Sequence, residues 1–337
     1  MSIESATPAP AGALSVPSVD MQASIGGVPV VSPVLTASGC SAFGRELDPF
    51  FDLASIGAVV TKSVQLRPRS GRPTPRMAET PSGMLNSIGL QGPGIDGLLA
   101  DELPWLAQRG ARAFVSIAGT RVEDFAELAV RLRGVPGVLG LEVNISCPNV
   151  ESRGEVFACD PAAAADVVAA VREAADPAQP VYAKLSPDVT DIVTVAAACA
   201  DAGANGLSMI NTLLGLVIDP DTMRPVLGGV TGGLSGPAIR PVALRCVWQV
   251  HQALPDVPIL GMGGIRSGLD ALQFVLAGAS AVSVGTAVFN DPSAPARIHA
   301  ELADALGERG FGRLADAIGY AHRRPDPPAG RHSRTPQ

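Results

Sequence analysis

From residue 34 onward, short β-branched runs alternate with longer stretches rich in alanine and leucine. The run at 34–38 (VLTAS) precedes a predicted helix near 47–54, and the run at 58–63 (AVVTKS) precedes one near 95–109. Further runs at 113–119 (AFVSIAG), 139–146 (LGLEVNIS), 181–186 (VYAKLS), 206–211 (GLSMIN), 257–264 (VPILGMGG) and 281–287 (AVSVGTA) each lead into a stretch of helical composition. These runs lack clean apolar–polar alternation, as expected of strands covered on both faces. Several of the helices stop at glycine, as in CADAG and VLAG. Ahead of the first run, MQASIGGVPVVSP predicts a β-hairpin turning at Gly26–Gly27 and closing the bottom of a barrel. Eight strand–helix units in succession predict an α/β fold, a (β/α)8 TIM barrel, over an open doubly wound sheet. The barrel domain is expected at 20–312, between flexible tails at 1–19 and 313–337.

Composition adds constraints. With 47% hydrophobic residues the core is ample, while 4% aromatics beside 37 glycines and 30 prolines favour small-residue helix packing over a β-sandwich. A net charge of −7 leaves no basic face, which argues against nucleic acid or an anionic membrane as partner. No apolar run reaches membrane-spanning length, and the N-terminus lacks the pattern of a signal peptide. Cysteines 40, 147, 159, 199 and 246 form no CxxC pair, so reduced thiols and a cytoplasmic setting are expected. Histidines 251, 299, 322 and 332 fall in predicted helices or the tail, so an acid–base group other than histidine is expected.

In barrels of this class the chemistry sits where strands end. That rule selects Ser38, Lys62, Ser116, Asn144 with Cys147, Lys184, Asn211 with Thr212, Gly263–Gly264 and Gly285–Thr286. GMGGI after the seventh strand and VGTA after the eighth together suit a phosphate cradle, because glycine lets backbone N–H groups approach oxygen closely. With two lysines at the mouth, a phosphorylated substrate or FMN follows. Lys184 suits the polar edge of a flavin ring, or else pairs with a loop carboxylate such as Asp188. GGLSGPAI (232–239) reads as a glycine-rich loop entering a helix, either a lid or a structural turn. In VNISCPNV (143–150), Asn144 and Asn149 can bind a planar imide, and Cys147 between them is a candidate nucleophile or base. Cys40, Cys199 and Cys246 read as small buried hydrophobes.

Together NISCPNV, KLSPDVTDI, GLSMINTLLG, GGLSGPAI, GMGGI and AVSVGTAVF resemble the class 1 dihydroorotate dehydrogenases, in collinear order over about residues 22–292. TASG, VTKSVQLRPRSGRPTPRMAET and GMLNSIGLQGPG fit the same likeness, and PRSGRPTPR with FACDP is most similar to the class 1B catalytic subunit. The resemblance implies FMN at the barrel mouth and oxidation of (S)-dihydroorotate to orotate in pyrimidine biosynthesis, with Cys147 as base. It implies substrate contacts from Lys62, Asn86, Ile88, Gly89, Leu90, Asn144, Asn149, Asn211 and Thr212. For FMN it implies Ser38, Lys62, Ser116, Asn144, Lys184, Ile210, Gly236, Gly263, Gly264, Gly285 and Thr286. It further implies a homodimer core, a lid from 147 to about 160, and an iron–sulfur, FAD-containing partner passing electrons to NAD+; class 1A chains use fumarate instead. The chain departs from the family's usual residues at Gly92 and Ser116, where asparagine is expected, at Cys159, where glycine is commoner, and in GCSAFG. A dihydropyrimidine dehydrogenase and a flavin-free phosphate-binding isomerase or lyase are the alternative expectations.

Overall fold

The structure, a computed structural model, describes residues 18–145 and 157–323. A short antiparallel hairpin opens it, β1 (Ala23–Ile25) and β2 (Val28–Val30). Gly26 and Gly27 turn it at φ +54° and +87°, and a Cβ on Gly26 would lie 2.6 Å from Pro180 Cβ. Strands β3 (Val34–Thr36) and β4 (Val59–Val60) follow, then a second hairpin of β5 (Met77–Thr80) and β6 (Gly83–Asn86). Helices α1 (Gly94–Gly97) and α2 (Leu103–Gln108) flank a wider π turn at Leu98–Glu102. They lead to β7 (Ala113–Ile117), α3 (Val122–Leu132) and β8 (Val138–Val143). The alternation continues through α4 (Pro161–Ala174), β9 (Val181–Leu185), α5 (Ile192–Asp201) and β10 (Gly206–Met209).

A long excursion then carries β11 (Leu213–Gly215), β12 (Ile218–Asp219), β13 (Arg224–Pro225) and β14 (Gly232–Ser235). The chain returns through α6 (Arg240–Ala253), β15 (Ile259–Met262), α7 (Gly268–Leu276), β16 (Ala281–Val284), α8 (Ala294–Gly307) and α9 (Leu314–Ala317).

Eight strands pair in parallel in the order β3-β16-β15-β10-β9-β8-β7-β4. Gly57 N–H donates to Val34 O at 2.8 Å and Thr36 N–H to Ala58 O at 3.3 Å, which closes the ring between β3 and β4. The expected (β/α)8 barrel is the fold. Its strands are buried on both faces, and their twofold period divides them between two cores. Leu35, Val60, Phe114, Leu139, Tyr182 and Leu260 point into the barrel, while Val34, Val59, Val115, Leu141, Ala183 and Ile259 meet the helices. Ile25 and Val30 of the first hairpin join the inner set, so the hairpin plugs the barrel bottom as expected. Gly26 N–H donates to the Tyr182 hydroxyl at 2.9 Å, tying plug to barrel.

Two expectations fail. No α-helix forms near 47–54. Turns fill that segment apart from one 3-10 turn at Leu53–Ser55, capped by Asp52 Oδ1 accepting from Ala54 N–H at 2.9 Å. Gly44, at φ +96°, and Pro49 interrupt any helical run there. The GGLSGPAI segment is no simple loop: residues 232–235 are strand β14. It belongs to an antiparallel sheet of order β11-β14-β6-β5, which the sequence reading did not foresee. The packed chain also runs on past residue 312. Leu314 and Ala317 are buried, and Leu314 N–H donates to Asp20 O at 2.9 Å.

Candidate active site

Most barrel strands deliver a polar residue as they leave the sheet, β15 delivers the glycines 263 and 264, and the four-stranded sheet stands beside the same openings. Between them lie two adjoining cavities, of about 550 and about 150 Å³. The larger is lined by Ser38, Lys184, Ile210, Gly236, Gly263, Gly264, Gly285 and Thr286. The smaller is lined by Lys62, Asn86, Ile88, Gly89, Leu90 and Asn144. Ser38, Asn211 and Thr212 face both, as do Cys40, Met84, Ser235 and Phe289. Most residues expected at a cofactor line the larger space and those expected at a substrate the smaller, while Lys62 and Asn144, expected at both, line only the smaller.

Glycine keeps the larger space open. Gly263 and Gly264 stand at φ +128° and +78°, and a Cβ on Gly264 would lie 2.8 Å from Gly236 O. Thr286 donates its hydroxyl to Ser235 Oγ at 2.8 Å, joining the turn after β16 to the end of β14. Behind the glycines, Arg240 pairs with Asp270 and donates to Gly264 O at 3.4 Å. A wall without side chains at one end and a buried cation on the floor suit a ligand with a phosphate and a flat polar ring.

Lys184 is that cation, 4% exposed. Its Nζ donates to Ser38 Oγ at 2.8 Å and lies 3.4 Å from Glu142 Oε1. The carboxylate beside it is therefore Glu142 inside the barrel, where Asp188 was the sequence-based candidate. Asp188 instead accepts from Leu214 N–H, and burial pushes its carboxyl above the usual range, with that bond opposing.

Ser116 does not line either cavity. It is fully buried, its Oγ 2.9 Å from Ser63 Oγ, and Ser63 in turn accepts from Asn144 Nδ2 at 3.0 Å. A shorter side chain than the asparagine usual in the resembled family leaves it one residue back from the cavity. Cys40 corrects the reading of a core thiol: it is half-buried and faces both cavities. Burial pushes its thiol up, opposed by the charges of Lys184 and Lys62. Gly92 exchanges backbone hydrogen bonds with Arg69 and has open space where a side chain would be. Cys147 and Asn149 lie outside the described residues. Cys159, exposed, sits in a 3-10 turn at Phe157–Cys159 ahead of α4.

Sequence reasoning missed Glu142, Met84, Ser235 and the site position of Cys40. Glu142 carried a signal, since an acid within the apolar run LGLEV is costly to bury without a cation. Among the described residues no helix is long and apolar enough to cross a membrane.

A profile of the family described as dihydroorotate dehydrogenase matches residues 21–306. The chain belongs to the dihydroorotate dehydrogenase family. It is 54% identical over 300 residues to a Pelobacter propionicus protein named dihydroorotate dehydrogenase B (NAD(+)), catalytic subunit, covering 89% of this chain and 98% of that one. A Desulforudis audaxviator protein of the same name is 54% identical over 299 residues, covering 89% and 96%. One from Geobacter sulfurreducens, also so named, is 51% identical over 300 residues, covering 89% and 97%. The class 1B likeness read from the motifs agrees with those names. Within this dihydroorotate dehydrogenase chain, the matched span contains both cavities and all their lining residues.

Proposed function

We propose that this chain is the catalytic subunit of an NAD+-linked dihydroorotate dehydrogenase, oxidising (S)-dihydroorotate to orotate in pyrimidine biosynthesis. The observation that carries the reading is the pair of adjoining cavities, the larger lined by eight of the eleven expected cofactor residues and the smaller by the expected substrate residues other than Asn149. The cofactor is FMN, which supplies a hydride acceptor when bound. Its phosphate fits the glycine-lined end at Gly263, Gly264 and Gly285, and Lys184 offers a charge to its ring.

In the smaller cavity Lys62 supplies a cation for the substrate carboxylate, and Asn86, Asn144 and Asn211 present amides to its imide edges. Ile88 and Leu90 give the flat ring an apolar wall and limit water. Leu90 holds φ +57°, an uncommon conformation for a branched side chain, which sets it beside Gly89 at the cavity wall. Cys147 takes the proton from carbon 5 as hydride leaves carbon 6. The word "subunit" in the relatives' names supports a partner chain, which we take to be an iron–sulfur, FAD-containing protein working with a homodimer of this one. Four free cysteines among the described residues support a reducing, cytoplasmic setting.

Anaerobic mixing of the purified full-length protein with dihydroorotate tests the reading. A flavin spectrum that bleaches with dihydroorotate and not with dihydrouracil is expected. A colourless protein, or bleaching by dihydrouracil alone, would overturn it. Cys147→Ser should slow the bleaching by roughly 10²- to 10⁴-fold, the usual worth of a positioned base, while flavin stays bound. Bleaching at the wild-type rate would remove Cys147 from the role.

A further inference from the structure

Glu142 lies inside the barrel on β8, fully buried, beside Leu141 and Val143, which face the helices. Its Oε1 stands 3.4 Å from Lys184 Nζ, whereas Oε2 has no hydrogen-bond partner among the described residues. Ser208, the cross-strand partner of Lys184, likewise has a buried hydroxyl without a partner among them. Desolvating a carboxylate is costly, and an apolar side chain of similar volume would serve the fold as well or better. Other inward positions of this barrel include Phe114, Leu139, Tyr182 and Leu260 and the buried Ser116, Ser208 and Ser283, none of them charged. The reason for the ion pair therefore lies in the cavity above it. Lys184 lines that cavity and Glu142 does not. Glu142 therefore reaches a ligand by holding Lys184 in place and by its own field, not by contact.

Building on the FMN reading above, we infer that Glu142 is a positioning residue that anchors the Lys184 ammonium on the cavity floor and offsets part of its field. An ammonium beside a flavin favours the reduced, more negative form, and a carboxylate behind that ammonium opposes the effect. Glu142 thereby holds the two-electron potential of the bound flavin down. A lower potential favours passing electrons onward to a nicotinamide acceptor, the kind named for the relatives.

The test compares full-length wild type, Glu142→Gln, Lys184→Met and the double variant, measuring flavin midpoint potential and the affinity of apoprotein for oxidised FMN. Glu142→Gln should raise the potential by about 30 mV, a tenfold tighter relative hold on two-electron-reduced flavin. Affinity for oxidised FMN should change by less than that. Lys184→Met should lower the potential, and adding Glu142→Gln to it should not lower it further, since the carboxylate's own field opposes reduction with or without the ammonium. If Glu142→Gln alone does not fold, the double variant against Lys184→Met supplies the comparison. An unchanged or lowered potential in Glu142→Gln, or a double variant below Lys184→Met, overturns the inference. Wild-type protein that takes up no FMN overturns the reading beneath it, and the inference with it.

Discussion

Burial, and the neighbouring charge of His322, hold the His251 imidazole below its ordinary range, and burial does the same for His299. His251 packs against Gly278 and Gly319 beneath a His322 ring stacked on Trp248 at 3.6 Å. Both depressed rings resist protons that the unfolded chain accepts. Their contribution to stability is full above the unfolded value of 6.5 and is lost as pH falls below it through the lowered folded values. The melting temperature should fall from about pH 7.5 to about pH 5.5, and His251→Gln should flatten that fall. Equal slopes in the two proteins would show that His251 is not the group responsible. The depressed carboxyls, such as Asp124 and Asp291, start from 3.8 and act below this window. At this scale the sequence was informative where a residue ends a strand: Lys62, Lys184, Asn211 and Thr286 all reach the cavities. It was silent on Cys40, because which way a residue faces depends on register, not on its neighbours in the chain, and the signal at Glu142, an acid in an apolar run, named no partner.

The antiparallel sheet beside the barrel mouth joins segments that no local pattern connects. Asn86 on β6 pairs with Gly233 on β14, and its Nδ2 donates to Gly233 O at 3.3 Å. A Cβ on Gly233 would come within 2.0 Å of Thr212 Oγ1. Gly233→Ala should therefore push Thr212 out of place at a cost of about 1–3 kcal/mol. Orotate affinity should drop by about tenfold or more and FMN affinity by less, since Thr212 lines both cavities, which titrations of each ligand alone would reveal. Unchanged orotate binding would mean that Thr212 does not touch it. These strands were hidden because each is four residues or fewer and three of the four contain glycine, so they lack a readable period. The barrel strands were legible for the opposite reason: burial on both faces writes them as unbroken apolar runs. Their helices were legible too, apart from the first, where Gly44 and Pro49 overrule composition.

Across the whole molecule the barrel divides its work between two ends. The bottom is sealed by Ile25 and Val30 of the hairpin, and Asp20 bonds to Gly312 and Leu314, so the early and late parts of the fold meet there. The open end holds the chemistry, with the two cavities separated by little more than a shared wall of Ser38, Cys40, Asn211, Thr212 and Ser235. A wall with two sides has a thermodynamic consequence. Any ligand that orders it for one cavity has ordered it for the other, so the two occupants are energetically linked and the linkage must be reciprocal. Orotate should tighten FMN binding by about five- to tenfold, and FMN should tighten orotate binding by the same factor. Calorimetry run in both orders would measure it. Two independent affinities would mean that the wall is already rigid before either ligand arrives.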